Sequence, residues 1–415
     1  ILITGTAILL ILLLVGLYYP LFDYRDFHVN GNAGIAVRTQ AFDYERGKLY
    51  ELPAYNADAQ NAWSTDLLSY DLTDLDLSDR LNDLMNTDFD SKTKWPAKLP
   101  ATFNPDEIME MGKNPGLNLR KVHQKGVTGK GVNIAVIDQV LLTEHVEYKD
   151  RLKFYEEIHA VDEGGASMHG PAVSSIAVGK HVGVAPEANL YYIAETHGTF
   201  HPLSRLIGFD WDFRYLAKSI DRILEINKTL PKGQKIRAIS ISVGWGPGTK
   251  GFKEVDEAVK RAKKEGILVV SVALPSYYDA KLMGLGRDPL ADADTLASYQ
   301  PGQYWQKYFY ENNKDYRSMG KTILVPMDSR CTASPTGTSN YAFYRSGGDS
   351  WIVPYVAGLY ALCCQVQPDI TPEQFFVDAI ATGDIKVIEK NGKKYQLGTI
   401  VNPSRLIEKL QSKQE

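Results

Sequence analysis

Cysteine is scarce in this 415-residue sequence, which contains only Cys331, Cys363 and Cys364. An odd and small number of cysteines argues against a disulfide framework. Because Cys363 and Cys364 are adjacent, they cannot easily bridge each other, and we expect both to be small core residues on a helix. Paired CxxC motifs, which are typical of zinc sites, do not occur. The sequence therefore predicts neither a disulfide-stabilised scaffold nor a metal centre.

A strong excess of either charge is also absent. The 46 Lys and Arg residues nearly balance the 50 Asp and Glu residues, which leaves a formal net charge of −4. This balance gives no reason to expect a nucleic acid or an anionic membrane surface as a partner. Hydrophobic residues make up 44% of the chain, enough for a large core, and large α/β domains reach this length.

Apolar runs long enough to span a membrane are absent except at the start of the sequence. No charged residue precedes Asp23, and about 20 apolar residues suffice for a helix to cross a membrane. Tyr18 and Tyr19 lie where an interfacial aromatic belt would lie. A secretory signal peptide is the alternative, but small residues usually follow its shorter apolar core, whereas YYPLFDYRDF follows here. We expect a single-pass transmembrane anchor at residues 1–22, with the rest of the chain on the extracytoplasmic side.

The composition then changes twice along the chain. Residues 23–100 are rich in Asp and Leu, with apolar residues at mixed spacings. We interpret them as an N-terminal extension that packs on the main domain or links it to the membrane, and a propeptide is a further interpretation. Residues 101–415 form the predicted main domain.

Short apolar runs alternate with amphipathic stretches from about Gly116 onward. In FKEVDEAVKRAKKEG the apolar residues share one helical face, and Gly266 provides a stop; FRYLAKSIDRILEINK behaves likewise. This alternation indicates an α/β fold with a doubly wound, mostly parallel sheet and helices on both faces. Active residues gather at the carboxyl ends of the strands in such sheets. The predicted strands lie in GVNIAVID, ANLYYIAE, IRAISISV, GILVVSVA and TILVPM.

Two polar residues stand at the ends of these predicted elements. Asp138 ends the strand NIAVID, where a turn or capping aspartate is common. His169 opens a helical pattern, and Pro171 suits the first turn because no backbone N–H is needed there. Each residue alone has an ordinary structural explanation, so neither identifies a site by itself.

Two serines in the stretch SPTGTSNYAFYRSGGDSWIVPYVAG are candidate nucleophiles. Ser350 follows two glycines and an aspartate and precedes a long apolar segment, which predicts an exposed serine at the start of a buried helix. The free N–H groups and partial positive charge of a helix start favour a developing oxyanion. Ser339 is followed by large and aromatic residues and then by two glycines, which predicts a turn and a strand. We therefore expect Ser350 to be the nucleophile and Ser339 to be a turn serine.

The residues Asp138, His169 and Ser350 together fit one mechanism. A serine hydroxyl needs a base, a histidine supplies that base near neutral pH, and a carboxylate holds the imidazole in the right tautomer. Their order and surroundings resemble those of the subtilisin-like serine proteases, from about Gly126 to Gly383. The motifs that carry the resemblance are GVTGKGVNIAVID, HGPAVSSIAVG followed by VGVAPEANLYYI, ISISVGWG and GDSWIVPYVAG.

This resemblance implies a subtilisin-like fold and a serine-type endopeptidase. Such a hydrolase cleaves peptide or protein substrates through an acyl-enzyme, and the class needs no cofactor. We assign no metal ligand. The implied catalytic residues are Asp138, His169 and Ser350, and the implied substrate contacts are Ser242, Val243 and Gly244.

Several residues depart from the motifs of the family. Asp349 and Trp351 replace Thr and Met beside the nucleophile, and Asp349 adds a negative charge there. Pro275 aligns with the family's oxyanion-hole Asn, although proline has no side-chain donor, and the nearby Ser276, Tyr277 and Tyr278 are alternative donors. An insertion at about Tyr278–Lys321 is a lid, a cleft wall or a contact surface, or else a solvated loop anchored by a few aromatic residues.

These departures leave a second function open. A catalytically weak or inactive pseudoprotease could use the same cleft to bind a peptide or protein. An esterase of the α/β-hydrolase kind is not favoured, because neither a GxSxG elbow nor the order Ser, Asp, His is found at the matching places.

Overall fold

The molecule is described by a computed structural model that covers residues 40–44, 46–57, 63–160, 165–200, 209–312 and 321–413. The predicted anchor at residues 1–22 lies outside the described residues, as does the extension up to residue 39. Within the ranges given above, no helix is long and apolar enough to cross a membrane.

Strands and helices alternate through most of the described chain. The strands are β1 (Thr65–Asp66), β2 (Thr87–Asp90), β3 (Asn133–Asp138), β4 (Leu152–His159), β5 (Asn189–Glu195), β6 (Gly198–Phe200), β7 (Phe209–Trp211), β8 (Ile236–Ile241), β9 (Leu268–Ser271), β10 (Lys281–Arg287), β11 (Tyr299–Pro301), β12 (Thr322–Pro326), β13 (Arg330–Ala333), β14 (Tyr341–Tyr344), β15 (Asp384–Lys390) and β16 (Lys393–Ile400). The α-helices are α1 (Leu81–Leu84), α2 (Pro105–Gly112), α3 (Leu119–Gln124), α4 (His169–Val178), α5 (Arg214–Thr229), α6 (Phe252–Lys264), α7 (Gln303–Asn312), α8 (Asp349–Val366), α9 (Pro372–Thr382) and α10 (Pro403–Gln411).

The central sheet has five parallel strands in the order β4-β5-β3-β8-β9. Every residue of β3 is buried, which explains its unbroken apolar sequence. Helices α5 and α6 pack on one face, around Ile220, Ile239 and Val259. Helices α4 and α8 cover the other face, where Val173 and Val356 belong to the largest core cluster. The predicted parallel sheet with helices on both faces is therefore confirmed.

A second sheet differs from the expectation. Its five strands run in the order β11-β10-β12-β16-β15 and are partly antiparallel. The run TILVPM forms β12, which pairs in parallel with β10 and β16 rather than with the central sheet. The prediction that all five apolar runs share one sheet is wrong for this run, because an apolar run reports burial and not its pairing partner.

The insertion at Tyr278–Lys321 is folded rather than loose over its described part. It supplies β10, β11 and α7. Trp305 and Phe309 of α7 are buried, and the indole N–H of Trp305 donates to the carbonyl of Gly284 over 2.7 Å. The interpretation as a solvated loop is therefore wrong for residues 278–312, and residues 313–320 lie outside the described chain.

The described part of the N-terminal extension packs on the main domain. β2 pairs with β14, so that Phe89 lies opposite Phe343 in an antiparallel register. Both rings belong to a separate apolar cluster that also contains Leu67, Leu72 and Phe103. The division of the chain at residue 100 stays a prediction.

Candidate active site

Asp138 lies at the carboxyl end of the middle strand of the central sheet. Its side chain is 2% exposed. Oδ1 accepts a hydrogen bond from the backbone N–H of Gln139 over 2.8 Å and lies 2.7 Å from Nδ1 of His169. The buried strand therefore fixes this carboxylate at the edge where active residues of parallel sheets gather.

His169 is the first residue of α4 and pairs with Asp138. An ionised carboxylate only accepts hydrogen bonds, so Nδ1 of His169 donates and Nε2 remains available as a base. Gly170 permits this approach, because a Cβ there would lie 2.4 Å from the hydroxyl of Tyr192 and 2.5 Å from the carbonyl oxygen of Gln139. Only a residue without a side chain lets the helix start so close to the strand end.

Ser350 is the second residue of α8, a helix with fourteen buried residues. The starts of α4 and α8 lie side by side, since the ring of Trp351 makes an edge contact with the ring of His169 at 5.7 Å between centroids. A Cβ at Gly358 would lie 2.9 Å from the carbonyl oxygen of Ala177, so the two helices pack at very short range. This packing brings Ser350 and His169 to one end of the sheet.

The Ser350 hydroxyl nevertheless points elsewhere. It donates to the carbonyl oxygen of Ser242 over 3.2 Å, while the Ser242 hydroxyl donates to the carbonyl oxygen of Ser350 over 3.0 Å. Across the described parts of the chain, no hydrogen bond joins Ser350 to His169. The structure thus holds the Asp138–His169 pair assembled and the serine hydroxyl turned toward the neighbouring strand.

The predicted substrate contacts follow β8, and the first of them contacts Ser350. Ser242 is tied to Ser350 by the two hydrogen bonds given above. The carbonyl oxygen of Val243 accepts from the backbone N–H of Val272 over 3.2 Å. A Cβ at Gly244 would lie 3.2 Å from Cβ of Val272, so the strand and the turn after β9 are in close contact. Ser242 therefore lies against the serine, whereas Val243 and Gly244 lie against the turn after β9.

Ser339 lies in the turn between β13 and β14 and is exposed. It follows Thr338, whose carbonyl accepts from the backbone N–H of Val146 over 2.8 Å. The turn and strand expected for this segment are present, and no described contact brings Ser339 to His169.

Pro275 and Asp349 line one small cavity, and Asp349 directly precedes Ser350 in α8. The cavity measures about 40 Å³, and its other lining residues are Ser271, Val272, Leu274, Leu282, Ile352 and Val353. Pro275 belongs to a 3-10 turn, Leu274–Ser276, that follows β9. The position that was aligned with an oxyanion-hole Asn therefore faces the cavity without a side-chain donor.

Asp349 is held by a residue that the sequence did not reveal. The hydroxyl of Tyr304, in α7, hydrogen-bonds to Oδ1 of Asp349. Burial raises the pKa of the Asp349 carboxyl, and the Tyr304 hydrogen bond offsets part of that effect. Tyr304 in turn stacks on Trp63 of the extension, with 6.2 Å between ring centroids. Aromatic richness of the insertion was the only signal in the sequence that pointed toward this contact.

A second His–carboxylate pair near Asp138 was also missed. Glu195 ends β5, the strand next to β3, and is fully buried. Its carboxylate hydrogen-bonds to Nδ1 of His197. Burial alone would lower the pKa of His197, but the charges of Glu195 and Asp138 and the hydrogen bond outweigh it, so the pKa of His197 is raised. The sequence signal for this pair was the glutamate that ends the apolar run YYIAE, in the same way that Asp138 ends its own strand.

No group of three metal-binding side chains comes together within the described ranges. The candidate site described above consists of hydrogen-bonded protein groups. Its arrangement can transfer a proton from a serine hydroxyl to an imidazole, provided that the Ser350 side chain rotates away from Ser242.

Comparison with known proteins gives a consistent match. Residues 129–274 match the Subtilase family. The chain is 28% identical over 272 residues to a subtilisin-like protease of Coccidioides posadasii, a match that covers 62% of this chain and 49% of that protein. It is 27% identical over 276 residues to the major intracellular serine protease of Bacillus subtilis, covering 62% of this chain and 80% of that protein.

A third relative is an extracellular serine proteinase of a Thermus species. The chain is 26% identical to it over 282 residues, which covers 66% of this chain and 60% of that protein. The chain thus spans about half of the fungal relative and less than two thirds of the Thermus relative.

Proposed function

This chain belongs to the subtilisin-like serine protease family as a divergent member, and we propose that it acts as a serine endopeptidase through Asp138, His169 and Ser350. The observation that carries the proposal is the 2.7 Å contact between Asp138 and His169 at the start of one helix, beside Ser350 at the start of another. Ser242, which follows β8, adjoins the start of α8 through its two hydrogen bonds with Ser350.

The chemistry follows from these positions. After the Ser350 side chain rotates, Oγ attacks the carbonyl carbon of the scissile peptide bond and its proton passes to Nε2 of His169. Asp138 stabilises the imidazolium that forms. The tetrahedral intermediate collapses, the C–N bond breaks, and His169 gives the proton to the leaving amine. Water then hydrolyses the acyl-enzyme by the same proton transfers.

A fluorophosphonate probe tests this function directly. We expect the probe to label the wild-type protein, because a serine activated by a histidine attacks phosphorus as it attacks a carbonyl. Labelling should vanish in Ser350→Ala and persist in Ser339→Ala, the matched control in the same stretch of sequence. Absence of labelling in correctly folded wild-type protein would refute the proposal.

A second candidate function rests on the direction of the Ser350 hydroxyl. Its hydrogen bond to Ser242, together with Pro275 and Asp349 beside it, favours a weak or inactive pseudoprotease that holds a peptide or protein in the same cleft. That function predicts saturable peptide binding by fluorescence anisotropy in wild type and in Ser350→Ala alike, without labelling of either. Labelling of wild type together with peptide cleavage would contradict it.

We extend the proposal to the location of the protein. The charge-free apolar stretch at residues 1–22 supports a single-pass anchor with the catalytic domain outside the cytoplasm. We expect the full chain to stay with membranes after extraction at alkaline pH and a variant without residues 1–22 to be released. Release of both chains alike would contradict the anchor.

A further inference from the structure

The proposed reaction creates a negative charge that needs hydrogen-bond donors. In acyl transfer the carbonyl oxygen of the substrate becomes an oxyanion, and donors held in place for it usually supply the largest catalytic effect. The backbone N–H of Ser350 is one such donor, because it lies in the first turn of α8 and has no partner within the helix. Pro275 offers none from its side chain. A second donor must come from another wall of the site.

Asp349 and Ser271 are the two polar side chains that line the cavity beside Pro275, and only Asp349 adjoins the nucleophile in the chain. It precedes Ser350 and lines the cavity together with Pro275 and Val272. Its Oδ1 is occupied by the Tyr304 hydroxyl. Within the part of the chain that the structure describes, Oδ2 has no hydrogen-bond partner and Asp349 has no salt bridge. One oxygen is therefore fixed while the other remains available.

The surroundings of Asp349 disfavour its charged form. Burial raises its pKa, and the Tyr304 hydrogen bond opposes this only in part. On the neighbouring turn, buried Asp328 accepts hydrogen bonds from the backbone N–H groups of Gly347 and Gln303, and burial raises its pKa to about 6. His169 faces the site from α4. The remaining cavity walls, on β9, the 3-10 turn and β10, carry no titratable side chain.

The two ionisation states of Asp349 have opposite consequences. A carboxylate beside the reacting carbonyl would repel the oxyanion, whereas a carboxylic acid has an O–H that can donate to it. A carboxylic acid held neutral by an apolar site is an established kind of oxyanion donor. We propose that Asp349 in its acid form is a catalytic residue that donates the second hydrogen bond to the oxyanion.

This proposal rests on the proposed endopeptidase function and completes its first step. As Oγ of Ser350 bonds to the carbonyl carbon, the π electrons of the C=O bond move to oxygen and the Ser350 proton moves to His169. The oxyanion accepts hydrogen bonds from the Ser350 N–H and the Asp349 O–H, and neither of these protons is transferred. When the C–N bond breaks, the C=O bond reforms and both donors are restored.

Tyr304 acts as a positioning residue in this arrangement. Its hydroxyl occupies Oδ1, which leaves Oδ2 to carry the acidic proton on the side of the cavity. The hydrogen bond from Tyr304 favours the charged form of Asp349, so Tyr304→Phe should raise the pKa of Asp349. The fall in activity that is expected when Asp349 loses its proton, the alkaline limb of the pH profile, should then move to higher pH. A residue with a purely structural role would lower activity without moving that limb.

The test compares kcat/KM against pH for wild type, Asp349→Asn and Asp349→Ala, with a neutral peptide substrate. The acid form is present below the Asp349 pKa and lost above it, so wild-type activity should fall as the pH rises through that value. Asparagine donates a hydrogen bond without titrating, so Asp349→Asn should keep its activity there and exceed wild type by about 10²-fold at alkaline pH. Asp349→Ala should be about 10²–10³-fold slower than wild type at acidic pH, the usual effect of losing one oxyanion donor.

Other outcomes show whether the donor role of Asp349 or the endopeptidase function itself is wrong. If asparagine and alanine give the same profile, or if the alkaline limb survives in Asp349→Asn, Asp349 is not the donor. Equal losses of thermal stability in both variants, with unchanged pH profiles, would assign Asp349 to the helix dipole instead and overturn the proposal. Fluorophosphonate labelling of Ser350 in the same samples tests the endopeptidase itself: labelling with unchanged profiles refutes only the donor, and no labelling refutes both.

Discussion

The close approach of α4 to the end of β3 gives a sharp test of how the site is assembled. The perturbation is Gly170→Ala, one residue after His169. The added Cβ would lie 2.5 Å from the carbonyl oxygen of Gln139, against 3.4 Å for an ordinary contact. One side must therefore move by about 0.9 Å, and the neighbour is backbone that directly follows Asp138, so it cannot rotate away.

The expected magnitude has two parts. Overpacking a well-packed site usually destabilises a protein by about 1–3 kcal/mol, and the better helix propensity of alanine returns about 1 kcal/mol at most. The overpacking cost less this gain gives a net loss of up to about 2 kcal/mol in the free energy of unfolding. Because a displacement of about 1 Å near reacting groups can reduce the rate about 10²-fold, kcat/KM should fall by about that factor as the Asp138–His169 contact is strained.

Urea denaturation and peptide hydrolysis measure these two effects separately. Gly233→Ala is the matched control, because a Cβ there meets nothing within 4 Å and its backbone is not in the left-handed region. The control should keep wild-type stability and activity. Wild-type behaviour of Gly170→Ala itself would refute the reasoning, since it would mean that the helix start and the strand end do not constrain each other.

Three other substitutions test separate features of the structure. Asp138→Asn keeps the shape of the side chain but favours the wrong tautomer of the catalytic imidazole, so kcat should fall by about 10⁴-fold with little change in unfolding; a loss below tenfold would contradict the role. Glu195→Gln removes the charge that outweighs burial, so the pKa of His197 should fall in an NMR titration, and an unchanged value would contradict that cause. Burial raises the pKa of the Asp378 carboxyl, but two lysine nitrogens at 2.9 Å from it outweigh burial and lower the pKa overall. Asp378→Asn should therefore lose about 1–3 kcal/mol of stability at pH 7. That loss should disappear as the pH falls through the lowered pKa of Asp378, because the wild-type carboxylate is then protonated; a constant difference at low pH would contradict it.

Local pattern sufficed to place Asp138, His169 and Ser350 at the ends of their elements, although it took their combination and the family resemblance to predict a site. Asp138 was recognisable because a carboxylate ends an unbroken apolar strand. His169 and Ser350 were recognisable because each opens a segment rich in small and apolar residues, which must form a buried helix. The end of a buried strand and the start of a buried helix depend on neighbouring residues, so the periodicity of apolar residues is enough to predict them.

Features that join distant segments were not accessible in the same way. The run TILVPM is as apolar as the strands of the central sheet, yet it pairs with β10 and β16. The contact of Tyr304 with Asp349 depends on where α7 docks, and no local periodicity encodes that position. The rotamer of Ser350, with its hydrogen bond to Ser242, is likewise set by a neighbour from another strand.

Pro275 and Asp349 have to be interpreted together, because they line one cavity. Taken separately, each departure from the family motif weakens the case for catalysis: one removes a donor and the other adds a carboxylate. In the folded chain the carboxylate faces the place where the donor is missing, and burial favours its neutral, donating form. The proposed role of Asp349 in its acid form accounts for both departures at once. Peptide cleavage itself distinguishes the endopeptidase from a cleft that only binds peptides, and the dependence of that cleavage on pH then tests whether Asp349 is the donor.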